Sequence, residues 1–204
     1  MIGSYEVTLE QYRSVIEIEE SNRSKEHPGL PRLMIDVLET LILSVVLFVA
    51  INALSARIRV DGSSMEPTLH SGEFVLVDKI SYKIGKPAIG DVIVFHYPRD
   101  PHQEYIKRVI GLPGDHVVIS GGRVYVNGQP LDEDYIAASP AYEATWDVPE
   151  DALFVLGDNR NNSSDSHNWG TVPLDYVVGK AVLIYWPPTS WGLIDRSNTA
   201  VAAP

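Results

Sequence analysis

A mainly antiparallel β domain preceded by one membrane-spanning helix is the architecture this sequence predicts, on three observations. The run Thr40–Ala56, TLILSVVLFVAINALSA, contains no charged residue. From Arg57 onward, short runs rich in Val, Ile, Phe and Tyr alternate with turn residues. No segment after that run repeats apolar residues at the 3.6-residue period of a long helix.

Residues 1–34 form a polar, mostly acidic leader, either mobile or holding a short helix that stops before Pro28. The anchor follows at 35–56. Its 17 uncharged residues lie at the short end of the roughly 17–25 that cross a bilayer, and Val37 and Leu38 extend them. A buried amphipathic helix is the alternative, but the run is apolar all round apart from Ser44 and Asn52. A cleaved signal peptide is disfavoured, because the run starts far from Met1 behind an acidic leader. Charge does not orient the anchor: Arg13, Arg23, Lys25 and Arg32 on one side face Arg57, Arg59 and Lys79 on the other.

The β domain is expected over 57–194. Its strand-like runs are ARIRV, EFVLVD, DVIVFHY, YIKRVIG, HVVIS, RVYVNG, ALFVLG and VVGKAVLIYW. Gly121-Gly122 and Asn127-Gly128 are tight-turn dipeptides that close two hairpins. A small-residue tail, 195–204, is expected to fray.

Composition removes several function classes. A net charge of −11 argues against a nucleic-acid binder, which needs clustered Lys and Arg to neutralise phosphates. With no cysteine there is no disulfide, no thiolate metal site and no cysteine nucleophile. The six histidines lack metal-site spacing, so neither a metal nor any other cofactor is expected.

Three segments could carry chemistry. Asp61-Gly-Ser-Ser-Met-Glu-Pro-Thr-Leu69 is a turn leaving a strand; such a turn exposes a serine and aims backbone amides beside it. In Glu104-Tyr-Ile-Lys-Arg-Val-Ile-Gly111, strand alternation puts Lys107 and Arg108 on opposite faces, so at least one of these cations is buried or paired. Lys107 either snorkels to solvent or stays in the apolar strand. Gly157-Asp-Asn-Arg-Asn-Asn-Ser-Ser-Asp-Ser-His-Asn-Trp-Gly170 is dense in hydrogen-bonding side chains between apolar brackets, as in a supporting network.

In this order, and behind a single anchor, the SMEPTL, YIKRVIGLPGD and GDNRxxSxDS blocks resemble the bacterial type I signal peptidases over about residues 35–194. The self-cleaving repressors of the DNA-damage response share the Ser-Met and Lys elements, but lack the GDNR block and the anchor. The resemblance implies a signal-peptidase-like β fold and a membrane-anchored serine endopeptidase that removes signal peptides through an acyl-enzyme. By it, Ser64 is the nucleophile and Lys107 the general base. Ser163 orients the lysine, Asp165 belongs to the network around it, and Asp158 and Arg160 brace the fold. Gly62 and Ser64 border the oxyanion, while Val60, Met65, Leu69, Tyr105 and Ile106 line shallow pockets for small side chains.

The implied substrates are secreted preproteins with small residues one and three positions before the cut. The implied setting is the plasma membrane in a single pass, with the β domain on the outer face and residues 1–34 in the cytoplasm. Oligomeric state is left open. Two positions depart from the family pattern. Gly62 stands where one branch has a hydroxyl donor to the oxyanion, leaving backbone amides to serve. His167 stands where an arginine is usual, which makes its contact with Asp165 pH-sensitive. A membrane-tethered scaffold that has lost catalysis is the competing class, and the presence of Ser64, Lys107, Ser163 and Asp165 argues against it.

Overall fold

A computed structural model describes residues 9–25 and 29–194. Parts of the leader (1–8 and 26–28) and the tail (195–204) lie outside the described residues. The chain divides into two compact units, Met1–Ile51 and Asn52–Pro204.

The first unit is helical. Helix α1 runs Leu9–Lys25, and α2 runs Leu30–Leu54. α2 is rich in Val and Ile, which are mediocre helix formers in water. In a lipid core, however, only a helix satisfies all its backbone groups within one segment. Its hydroxyls are satisfied internally as well: Thr40 Oγ1 donates to the Asp36 carbonyl and Ser44 Oγ to the Thr40 carbonyl, each at 2.7 Å. At 25 residues the helix is about 37 Å long, enough to cross a hydrocarbon core of about 30 Å, and none of its residues is buried in protein. It begins ten residues ahead of the uncharged run at Thr40, taking in Arg32, Asp36 and Glu39. It ends at Leu54. Ser55 and Ala56 instead open strand β1, where they pair with Asp78 and Val77.

The second unit is antiparallel β. Its strands are β1 Ser55–Arg59, β2 Phe74–Asp78, β3 Val92–Tyr97, β4 Asp100–Gly111, β5 His116–Ser120, β6 Arg123–Val126, β7 Gln129–Pro130, β8 Ala144–Asp147, β9 Ala152–Leu156, β10 Val172–Pro173, β11 Val177–Trp186 and β12 Gly192–Leu193. Two one-turn helices interrupt them, α3 at Ser81–Ile84 and α4 at Ser166–Trp169. The larger sheet has the order β1-β2-β11-β3-β4-β9-β10, with β12 on β11; the smaller has the order β7-β6-β5-β8.

Both predicted hairpin turns form. Gly121 and Gly122 (φ 57° and 76°) join β5 to β6, and Asn127 and Gly128 (φ 51° and 79°) join β6 to β7. Paired positive φ values give the turn whose twist matches that of the strands it connects.

The middle of the large sheet is covered on both faces, so β3 reads as an unbroken apolar run rather than an alternating one. Val92 and Val94 pack with Val60, Met65, Leu69 and Ile106, whereas Ile93 and Phe95 pack with Val109, Leu153 and Trp169. A third core, built on Val117, Ile119, Val124 and Phe154, joins the smaller sheet to β9. Lys107 and Arg108 sit in the best-covered stretch of β4, and both are buried.

Candidate active site

Ser64 lies in the turn after β1, and Lys107 projects from β4. The Lys107 Nζ donates to Ser64 Oγ at 2.7 Å and to the Ile106 carbonyl at 2.8 Å. Only 4% of Lys107 is exposed. Burial pushes its ammonium from the ordinary 10.5 down to about 8, while the carboxylates of Asp165 and Asp158 pull it the other way. The Tyr105 ring lies 5.5 Å from Nζ. Of the two fates open to Lys107 in the sequence, the buried one holds.

Asparagines hold the serine turn from behind. The Asn159 amide donates to the Ser64 carbonyl at 3.0 Å, and its side chain to the Ser63 carbonyl at 3.1 Å. Asn162 Nδ2 donates to Ser63 Oγ at 3.0 Å. The Ser64 amide itself bonds no acceptor among the described residues, so it is available to a ligand. Gly62 (φ 89°) makes the turn in a conformation that disfavours a side chain, and its amide donates to Ser71 Oγ at 3.3 Å.

A cleft of about 610 Å³ opens over the dyad, with Val60, Gly62, Ser64, Tyr105, Ile106 and Lys107 among its walls. Met65 and Leu69, also expected in the substrate pockets, are buried in one core cluster with Val60 and Ile106 and are not among the cleft's walls. The turn after Ser64 closes on itself, the Leu69 amide donating to the Met65 carbonyl at 2.9 Å, and this directs both side chains inward.

The third segment braces this arrangement. Asp165 is fully buried; its Oδ2 accepts from the Gly157 amide at 2.9 Å, and its Oδ1 lies 2.6 Å from His167 Nδ1. It also caps α4 by accepting from the His167 amide. His167 stacks on Tyr142, their centroids 4.0 Å apart. Ser163 does not reach Lys107 in this structure: its Oγ is buried beside Gly157 with no hydrogen-bond partner among the described residues.

The Arg160 amide donates to the Asp158 carbonyl at 3.1 Å, but the two side chains take different partners. Arg108 grips both oxygens of Asp158 at 2.7 and 2.8 Å, and Thr68 Oγ1 donates to the same carboxylate. Arg160 pairs with Glu133 at 2.6 Å and donates to the Tyr135 hydroxyl at 3.2 Å. Sequence reasoning missed Glu133 and Tyr135, which no local pattern singles out, and the reach of Thr68 from its noted block to Asp158, 90 residues on. Asn159 and Asn162 lie inside a block already noted, but their targets 95 or more residues away could not be read from it.

Gly157 marks the closest approach. A Cβ there would collide with the Ser64 carbonyl and the Ser163 side chain. Gly157→Ala is therefore expected to displace the nucleophile turn, costing about 1–3 kcal/mol of stability and at least tenfold in kcat. Thermal melting and steady-state kinetics check this; unchanged values for both would mean that the turn has slack.

Residues 34–186 match the family described as "Signal peptidase, peptidase S26". The chain is 44% identical over 194 residues to the probable signal peptidase I-2 of Synechocystis sp., covering 90% of this chain and 88% of that protein. It is 45% identical over 170 residues to the signal peptidase I of Leptolyngbya laminosa, covering 78% and 83%. A crystal structure of a signal peptidase I from Enterococcus faecalis matches at 37% identity and a TM-score of 0.44, covering 47% of this chain and 96% of that one.

Proposed function

Because this chain belongs to the signal peptidase, peptidase S26, family, we propose that Ser64 and Lys107 are the dyad through which it acts. It is a membrane-anchored serine endopeptidase that removes signal peptides from secreted preproteins by the family's Ser/Lys acyl-enzyme chemistry. One observation carries the assignment to these two residues: a buried amine, lowered toward neutrality, lies 2.7 Å from a serine hydroxyl in the wall of a cleft.

In the reactive form Lys107 is neutral and accepts the Ser64 proton as Oγ attacks the scissile carbonyl. The Ser64 amide takes the developing oxyanion, with no hydroxyl available at Gly62. The ammonium returns its proton to the departing amine. Lys107 then activates the water that releases the acyl group. Ser163 is assigned the orienting role, for which its hydroxyl must turn from its position in this structure to accept from Lys107 Nζ. Asp165 holds the loop that carries it.

The substrate is read as an extended chain. β4 pairs with β3 from Asp100 to Arg108, but with β9 only from Arg108 to Gly111, which leaves one edge of Gln103–Lys107 without a strand. A peptide laid along that edge gains main-chain hydrogen bonds and presents alternate side chains to the wall. Val60, Tyr105 and Ile106 leave shallow space there, suited to small residues one and three positions before the cut. Residues 57–194 are taken as the catalytic domain, on the outer face of the plasma membrane, with residues 1–34 in the cytoplasm. Holding enzyme and signal helix in one membrane raises their effective concentration.

The test is cleavage in detergent of a preprotein with an Ala-x-Ala junction, with products identified by mass spectrometry. The cut is expected after the second alanine. Since the base must be neutral, kcat/KM should rise tenfold per pH unit and level off near pH 8, with about one enzyme in ten active at pH 7. A rate independent of pH between 6 and 9, or a cut elsewhere, would overturn the reading.

A further inference from the structure

We infer that the segment Lys79–Lys86 is a second membrane contact of the catalytic unit, one that docks on anionic lipid headgroups. Its sequence, KISYKIGK, has three lysines and no acidic residue in a chain of net charge −11. Lys83 and Lys86 are exposed and Lys79 half-buried, and none of the three forms an ion pair among the described residues. Between Lys83 and Lys86 stands Ile84, an apolar side chain 86% exposed. An isoleucine held out to water between lysines gains nothing from the β fold. At a bilayer surface it enters the headgroup layer while the ammonium groups meet phosphates.

The neighbouring carboxylates are turned away from the lysines. Asp78 accepts from the Ile80 and Ser81 amides and the Ser81 hydroxyl; Asp91 accepts from the Tyr82 hydroxyl and from Lys180. Asp175, exposed on the adjoining turn, pairs with none of the three lysines. The lysines share the lining of a hollow of about 340 Å³ with Leu174, Val177 and Val178, so cationic and apolar groups meet there. That is the polarity of a lipid headgroup with the start of its acyl chains.

Position selects the bilayer as the occupant. The Lys79 amide donates to the carbonyl of Leu54, the last residue of the membrane helix, at 3.1 Å. Leu54 and this segment belong to the same compact unit. The cationic segment therefore begins where the chain leaves the membrane and extends the contact the anchor has already made.

The absence of native cysteine permits a clean probe. Full-length Ile84→Cys, carrying a polarity-sensitive fluorophore, is reconstituted in phosphatidylcholine with or without phosphatidylglycerol, alongside Asp134→Cys as a distant control. A blue shift is expected at position 84 in the anionic bilayer alone. It should be lost at high salt and in the Lys79→Gln, Lys83→Gln, Lys86→Gln background, and absent at position 134. The lysine variant should keep its melting temperature and its cleavage rate in detergent, which separates loss of docking from loss of fold. No shift at 84, an equal shift in neutral lipid, or a shift that survives the three glutamines would each overturn the proposal. None of these readouts depends on the catalytic assignment.

Discussion

Ser64→Ala and Lys107→Ala are each expected to lower kcat by about 10⁴-fold or more, and the double variant to be no worse than either single. Nucleophile and base act as one unit across the 2.7 Å Nζ–Oγ contact, so losing either removes the same step. Lys107→Arg separates chemistry from charge: a guanidinium keeps the cation but does not deprotonate, and it should be as inactive as alanine. Cleavage of the Ala-x-Ala preprotein in detergent measures this. A Lys107→Ala rate within tenfold of wild type would remove the lysine from the mechanism.

The same residue should weigh on stability with a defined sign. Burial holds the folded-state value near 8, below the ordinary 10.5, so between these values the folded protein binds fewer protons than the unfolded chain. Stability from this group is therefore lost as pH falls through about 8. Lys107→Met removes a charge forced into the interior and should raise stability at pH 7 by up to about 3 kcal/mol, less whatever attraction to Asp165 and Asp158 is lost. An inactive variant that melts clearly higher at pH 7, and only slightly higher at pH 10, is the expected signature.

Asp158→Asn is expected to be among the most destabilising single changes in the catalytic unit, by about 3–5 kcal/mol. Asp158 and Arg108 are 0% and 1% exposed, and the carboxylate neutralises the guanidinium through two hydrogen bonds. Asparagine leaves a buried cation without its counter-charge. Asp158 also pulls the Lys107 value upward, so what folds should show its acid limb at lower pH than wild type. Replacing both partners, Arg108→Met with Asp158→Leu, should recover much of the lost stability because no lone charge is left. Differential scanning calorimetry decides this; an Asp158→Asn protein that melts within a degree of wild type would mean that water reaches the pair.

Much of this was legible in the chain itself. Alternating apolar runs and Gly/Asn-Gly turns specify strands and hairpins through local physics, and the paired positive φ values at 121–122 and 127–128 follow from residue type. The short strands β8, β10 and β12 were not legible. Strand β8, Ala144–Asp147, has only four residues, is half exposed and ends on Asp, so its strand formers Thr145 and Trp146 are too few to mark it without its pairing to β5. Adjacency of Lys107 and Arg108 likewise required at least one of them to be buried or paired. It did not say that both would be, nor that the partner of Arg108 would be Asp158, 50 residues on.

By itself, then, the sequence determined the membrane span, the mainly antiparallel β class, the family and the residue types able to run serine–lysine chemistry. These follow from periodicity, composition and short motifs, all of which act within a few residues. Tertiary structure alone decided how far Lys107 is lowered, since that depends on which segments exclude water from it. It also decided that Met65 and Leu69 are buried in the core, and that Ser163 Oγ has no hydrogen-bond partner among the described residues. Only folding brought Asn159 and Asn162 behind the Ser63–Ser64 turn. Desolvation and hydrogen-bond partnership are sums over groups far apart in the chain, and they acquire values only when the fold brings those groups together.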